Sequence, residues 1–189
     1  MRFVLMFLLV ITYANLYSQV FNGHFYLALN ASQVDGDTQW GYKKPGISAG
    51  LLVELNTKTK ISLQSGLYFT TKGARETNDN LPVFKTHFNY VEIPLDLVYT
   101  PVDKLGIVVG LAGSYLISAK LSDVYGVIST DEYTLKNTNA EITGGLWYQV
   151  QQHYRVGFKY SYSLFSITND ANMRDWYHNC VKIEILYQF

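Results

Sequence analysis

The chain has 189 residues, 48% of them apolar and 15% aromatic, with 15 basic and 15 acidic side chains. That length supports one domain with a real core, while zero formal charge and a charged fraction of 16% exclude a basic nucleic-acid footprint and a disordered chain. The single cysteine, Cys180, excludes a disulfide framework and a cysteine metal cluster.

At the amino end, Met1-Arg2 precedes an unbroken apolar run, Phe3 to Ile11, and a Tyr17-Ser18-Gln19 tail. This order of charge, apolar core and small residue predicts a secretory signal peptide over 1–18, cut after Ser18. A membrane-spanning helix needs about 20 apolar residues, and this run stops near half of that. No cysteine lies near the cut, which disfavours a lipid anchor. The exported part, 19–189, is within one charge of neutral.

Alternating segments follow at about 21–30, 46–55, 61–71, 89–99, 105–117, 139–149 and 154–165, and an eighth, Val181 to Phe189, runs to the last residue. Period-two alternation marks strands, and no segment sustains a helical period. Long connections near 31–45, 72–88, 118–138 and 166–179 alternate with short ones near 56–60, 100–104 and 150–153. The expected fold is all-β: an eight-stranded antiparallel up-and-down transmembrane β-barrel with both termini at the short-turn end. Pro94 sits inside the fourth segment and cannot donate a ladder hydrogen bond, so a bulge or interrupted pairing is expected there.

Alternation alone does not say which face is inside. The apolar register (every second residue of Phe25–Leu29, Ile47–Leu55, Ile61–Phe69, Val91–Tyr99, Leu105–Ile117, Ala140–Tyr148, Tyr154–Leu164 and Val181–Phe189) holds no Asp, Glu, Lys or Arg. The positions between hold Glu54, Glu92, Asp96, Glu141, Arg155, Lys159, Lys182 and Glu184. Lipid imposes such clearing, because Arg or Lys at the bilayer midplane costs about 2–4 kcal/mol. The polar face is also rich in small residues, among them Gly50, Gly66, Gly106, Gly110, Gly145 and Gly157. Small residues beside a few long charged ones suit the crowded interior of an eight-stranded barrel. The apolar face is therefore expected to meet lipid, with girdle aromatics Phe25, Tyr99, Tyr148, Tyr154 and Phe189 at the turn end and Phe69, Tyr115 and Tyr162 toward the loops.

The run Tyr90–Leu95 (YVEIPL), the run Gly113–Lys120 (GSYLISAK) and the closing strand ending in Phe189 resemble the small outer-membrane β-barrel proteins of Bacteroidota, described as porin-family or PorT-like and related in architecture to the OmpA and OmpX barrels. Ala28-Leu-Asn30 replaces the Gly-x-Asn often found in that family's first strand. The resemblance implies outer-membrane location, periplasmic termini and four long extracellular loops. It also implies that Tyr187 and Phe189 form the signal read by the barrel-assembly machinery. A non-enzymatic structural or surface-interaction role follows, or alternatively an accessory part of a secretion or uptake assembly with an envelope protein partner.

The eight inward charges are expected to form a structural polar cluster, since buried ions are costly unless paired. A narrow pore through that cluster is disfavoured because eight strands leave little lumen. His24, His87, His153 and His178 lack metal-ligand spacing and are read as surface or interfacial residues. Ser161 and Ser163 lack a nucleophile elbow, and Gly106, Gly110 and Gly113 lack the Lys-Ser/Thr ending of a phosphate loop. Asp123, Asp131 and Glu132 share the longest loop and are read as solvated. No catalytic residue, metal or cofactor is expected. The exposed loop tips, with Trp40, Tyr42, Arg75, Asp79, Tyr125, Tyr133, Arg174, Trp176 and Tyr177, carry the remaining variable chemistry.

Overall fold

A computed structural model describes residues 21–37, 41–57, 59–76, 84–123, 126–128, 135–169 and 175–189. The expected signal peptide, Trp40, Asp79, Tyr125, Asp131, Glu132, Tyr133, Arg174 and the side chain of Asp123 lie outside the described residues.

Among the described residues there are nine strands: β1 (Phe21–Asp35), β2 (Lys44–Asn56), β3 (Ile61–Lys72), β4 (Lys85–Val102), β5 (Leu105–Asp123), β6 (Gly126–Ile128), β7 (Thr138–Gln151), β8 (Tyr154–Ser163) and β9 (Tyr177–Gln188). Every pairing is antiparallel. The sheet runs β4-β3-β2-β1-β9-β8-β7-β5, and a β4–β5 pairing closes it. The short β6 is only a hairpin extension on the top of β5. Eight strands therefore make a closed barrel with no free edge along its wall, which satisfies the backbone donors and acceptors that lipid cannot. Among the described residues there is no helix.

The register places the expected faces. Leu95, Val109, Phe158 and Ile185 point outward at 54%, 55%, 51% and 48% exposure, whereas Glu92, Lys159 and Lys182 are buried. An exterior this apolar would be an aggregation hazard in water and is the normal surface of a protein dissolved in lipid. At the turn end, Phe25 packs at a tilt against Phe189 with ring centroids 4.8 Å apart, and Tyr154 meets Tyr187 at 5.0 Å. Phe189 N–H donates to the Gly23 carbonyl across the β1–β9 seam (3.1 Å), and a side chain on Gly23 would collide with the Phe189 ring. The last residue thus fastens the closing strand to the first.

Pro94 interrupts pairing without shifting it. The β3–β4 ladder passes from Ser65↔Leu95 to Tyr68↔Glu92 in constant register, and the Ser65 hydroxyl donates to the Pro94 carbonyl at 2.7 Å. On the other side Pro94 pairs with Ala112 in an unbroken stretch. The bulges of β4–β5 fall elsewhere, at Asn89/Tyr90 and Tyr99/Val102.

Four strands run further toward the loops than the alternation predicted: β1 to Asp35, β4 from Lys85, β5 to Asp123 and β9 from Tyr177. The loops are correspondingly shorter. Above the apolar band the outer face meets water, so Gln33, Asp35, Lys85, His87, Asn89 and Lys120 stand where apolar residues would have betrayed the strand, while the ladder continues.

Candidate functional site

Every expected interior charge is on the inner face, and the side chains collect in three tiers along the barrel axis. In the turn-end tier, Arg155 Nη1 on β8 donates to Glu54 Oε2 on β2 at 2.5 Å. Ser62 Oγ donates to Glu54 Oε1 at 2.5 Å, and His24 Nε2 lies 3.3 Å from Glu54 Oε2. The Arg155 guanidinium also covers the Trp147 ring at 4.3 Å. Trp147 fits only because Gly106 faces it: a Cβ there would come within 2.2 Å of the indole.

The middle tier joins β4, β7, β8 and β9. Lys159 Nζ donates to Asp96 Oδ2 at 2.9 Å and lies 3.9 Å from Glu184 Oε2. Thr143 Oγ1 donates to Asp96 Oδ1 at 2.8 Å. Gly110 leaves room for the Asp96 carboxylate, whose Oδ1 lies 2.3 Å from where a Cβ would be.

The loop-side tier is a chain of four ions. Glu141 accepts from Lys72 Nζ at 2.5 and 2.7 Å, Lys72 pairs with Glu92 Oε1, and Glu92 Oε2 accepts from Lys182 Nζ at 3.2 Å. Asn139 Nδ2 donates to Glu141 Oε1 at 3.2 Å and Lys182 Nζ donates to the Tyr68 hydroxyl at 3.2 Å. All four ions are almost fully buried. Such ions are tolerable only when each has a partner of opposite sign, and here they alternate in sign along the chain.

Lys72 was missed in the sequence because it falls one residue past the third predicted segment; its even position on the inward register of β3 was the available signal. Within the three tiers it adds a fourth cation to Arg155, Lys159 and Lys182. Two histidines also need correction. His24 and His178 are buried at 0% and 1% exposure, not at the surface or interface: His24 stands on the inward register within the first predicted segment, and His178 continues the inward register of β9 beyond the last one. His178 Nε2 shares a 2.9 Å hydrogen bond with the Tyr90 hydroxyl. His153 is exposed and His87 half-buried. Ser161 and Ser163 face the interior; Ser163 Oγ accepts from Asn139 Nδ2 (2.9 Å) and from the His178 N–H (2.9 Å), so it serves the wall and not a nucleophilic pair. Among the described residues no three His, Cys, Asp or Glu side chains gather as a metal site.

Above the ions sits an apolar cap of Val34, Ala74, Phe88, Tyr90, Leu121, Ile167 and Trp176. Trp176 was expected at an exposed loop tip. It is instead 5% exposed within this cap, where it packs beside Ile167, whose N–H donates to the Trp176 carbonyl at 2.8 Å. Tyr42 and Arg75 are exposed, and Tyr177 is half-buried with its ring stacked on Tyr162. At the opposite end a cavity of about 380 Å³ opens between the turns and is lined by Glu54, Trp147 and Arg155 of the first ion tier. Ion tiers and cap together leave a packed interior. Planar-bilayer recordings of the purified protein should therefore show no large, steady open-channel steps; such steps would contradict the packing of the tiers.

Residues 16–169 match the family described as "Outer membrane protein beta-barrel domain". Among solved structures the chain is similar to Ail, the attachment invasion locus protein of Yersinia pestis, in complex with the heparin analogue sucrose octasulfate (15% identity, 89% of this chain and 99% of that one, TM-score 0.51). It is similar to Neisserial surface protein A (11% identity, 89% and 97% covered, TM-score 0.55). It is also similar to a major outer membrane protein from Thermus thermophilus (12% identity, 89% and 99% covered, TM-score 0.51). At these identities the structural likeness concerns the fold. No curated protein matches the chain in sequence.

Proposed function

The chain belongs to the outer membrane protein β-barrel domain family, and on that premise we propose that it is a non-enzymatic envelope protein whose barrel holds a cluster of loops at the cell surface. The observation that carries this reading is the filled interior. Three ion tiers and an apolar cap occupy the axis, so the variable chemistry left to the molecule is at the loop end. In this reading residues 1–18 direct export, both termini are periplasmic and the four long connections are extracellular. The shared end of the two termini and the three short turns supports that orientation.

Tyr187 and Phe189 act, in the same proposal, as the mark recognised by the barrel-assembly machinery. Support comes from their place at the seam, where the Phe189 ring occupies the space left by Gly23. The finer kinship with porin-family or PorT-like barrels is part of the proposal and is supported by the runs Tyr90–Leu95 and Gly113–Lys120.

Fractionation combined with heat-modifiable gel mobility and protease treatment of intact cells tests the reading. The expected result is an outer-membrane protein whose unheated form migrates differently from the heated form, with cleavage confined to the 36–43, 73–84, 124–137 and 164–176 connections. Cleavage of intact cells at the 57–60 or 152–153 turns would overturn the orientation.

A further inference from the structure

We propose that the outer rim of β3, β4 and β5 is a binding surface for the phosphorylated headgroup of an outer-leaflet glycolipid. The inference rests on the outward orientation of the loop end given above.

The rim is defined by register. Arg75 bridges Lys85, Lys85 pairs with Ser122, and His87 pairs with Lys120. Arg75, Lys85 and Lys120 are exposed and His87 is half-buried. Behind them Lys44, buried at 6% exposure on the inward register of β2, donates from its Nζ to the Pro45 carbonyl at 3.1 Å and is not part of the outer surface. Among the described residues none of these side chains is in an ion pair. They do feel one another: burial and then the charges of Lys85 and Arg75 lower the Lys44 ammonium from its ordinary value, and burial followed by Lys44, Lys85 and Lys120 lowers His87. Cations crowded without a counter-charge are an electrostatic cost that an anion relieves.

The opposite flank is built differently. There Asp35 is already engaged, accepting from Gln33 Nε2 at 2.7 Å and from Asn179 Nδ2 at 3.3 Å, and Tyr42 donates to Asn179 Oδ1 at 2.6 Å.

Position decides between a free anion and a lipid. A bulge opposite Asn89/Tyr90 inserts Ile117 and reverses the phase of β5, so that Ser118 and Lys120 face outward while Leu121 turns in. Descending the outer face from the basic residues, the first row is Asn89 bonded to Ser118 at 2.8 Å, and the next is Val91 beside Tyr115. Below lie Ile93, Leu95 and Leu111 on the lipid-facing wall. The cations thus stand immediately above the hydrocarbon band, at the level of lipid headgroups. A lipid can place phosphate on Arg75, Lys85 and Lys120 and acyl chains on the wall beneath them, a two-part contact that free phosphate cannot make.

The test uses the folded chain in neutral-detergent micelles, where insertion direction plays no part, so that failure here is distinct from a wrong orientation in cells. Binding of diphosphorylated lipid A, of its dephosphorylated form and of inorganic phosphate is measured for the wild type, for R75Q/K85Q/K120Q and for K60Q/K104Q at the turn end. The expected result is salt-sensitive binding of the diphosphorylated lipid that weakens on the order of 100-fold in the rim variant. The turn-end variant should bind like the wild type, and all three proteins should keep the same heat-modifiable mobility. Unchanged binding by the rim variant, equal loss in the turn-end variant, equal affinity for the dephosphorylated lipid, or displacement by inorganic phosphate at matched concentration would each overturn the proposal.

Discussion

Replacing Glu92 with alanine should lower the unfolding free energy of the barrel in lipid vesicles by about 3–5 kcal/mol, read as a lower denaturant midpoint. Glu92 is fully buried and joins Lys72 to Lys182. Its loss leaves Lys72 with Glu141 as its one carboxylate partner and Lys182 with none among the described residues. The penalty is that of an uncompensated buried charge and not the net worth of the ion pair. The double variant E92L/K182M removes both sides of one link and should recover much of the loss. Equal destabilisation by the single and double variants would show that the tier is not an electrostatic unit.

The second large effect is on the outer face. Leu95 lies midway along the lipid-facing row of β4, between Val91 and Tyr99, paired with Leu111 on β5. Leu95→Arg should cost about 2–4 kcal/mol, while the same change at Val102, beside the turn, should cost about 0–1 kcal/mol. Both positions are comparably exposed, at 54% and 60%. In water they would tolerate arginine almost equally, since surface substitutions are usually within about 0.5 kcal/mol. The depth dependence, measured by equilibrium unfolding in bilayers, is therefore a signature of lipid. Equal small costs at both positions would contradict a lipid-facing wall.

How far the sequence was legible depended on where alternation had a physical cause. Between the girdles, lipid outside and packed charge inside force opposite chemistry on successive residues. The strands there and the faces of Glu54, Glu92, Asp96 and Lys159 could be read directly. Beyond the band both faces can be polar, so the upper parts of β1, β4, β5 and β9 left no periodic trace. The phase reversal at Ile117 is visible as the adjacent pair Leu116-Ile117, yet its meaning depends on the partner residues Asn89 and Tyr90 across the ladder. Lys72 and His178 were legible only by extending each inward register past its predicted segment, and His24 by following the inward register within its own. The burial of Trp176 was not legible, because it depends on a tertiary contact with Ile167 that no local pattern encodes.

Collisional accessibility of nitroxide labels in bilayers separates a wall that faces lipid from one that faces water. Labels placed one at a time at Leu95, Val109, Phe158 and Ile185, in a background with the buried Cys180 replaced by serine, report whether each outward position meets lipid or water. Oxygen-accessible, aqueous-reagent-protected labels are expected at all four. Labels at those positions that collide freely with a water-soluble relaxer would contradict it.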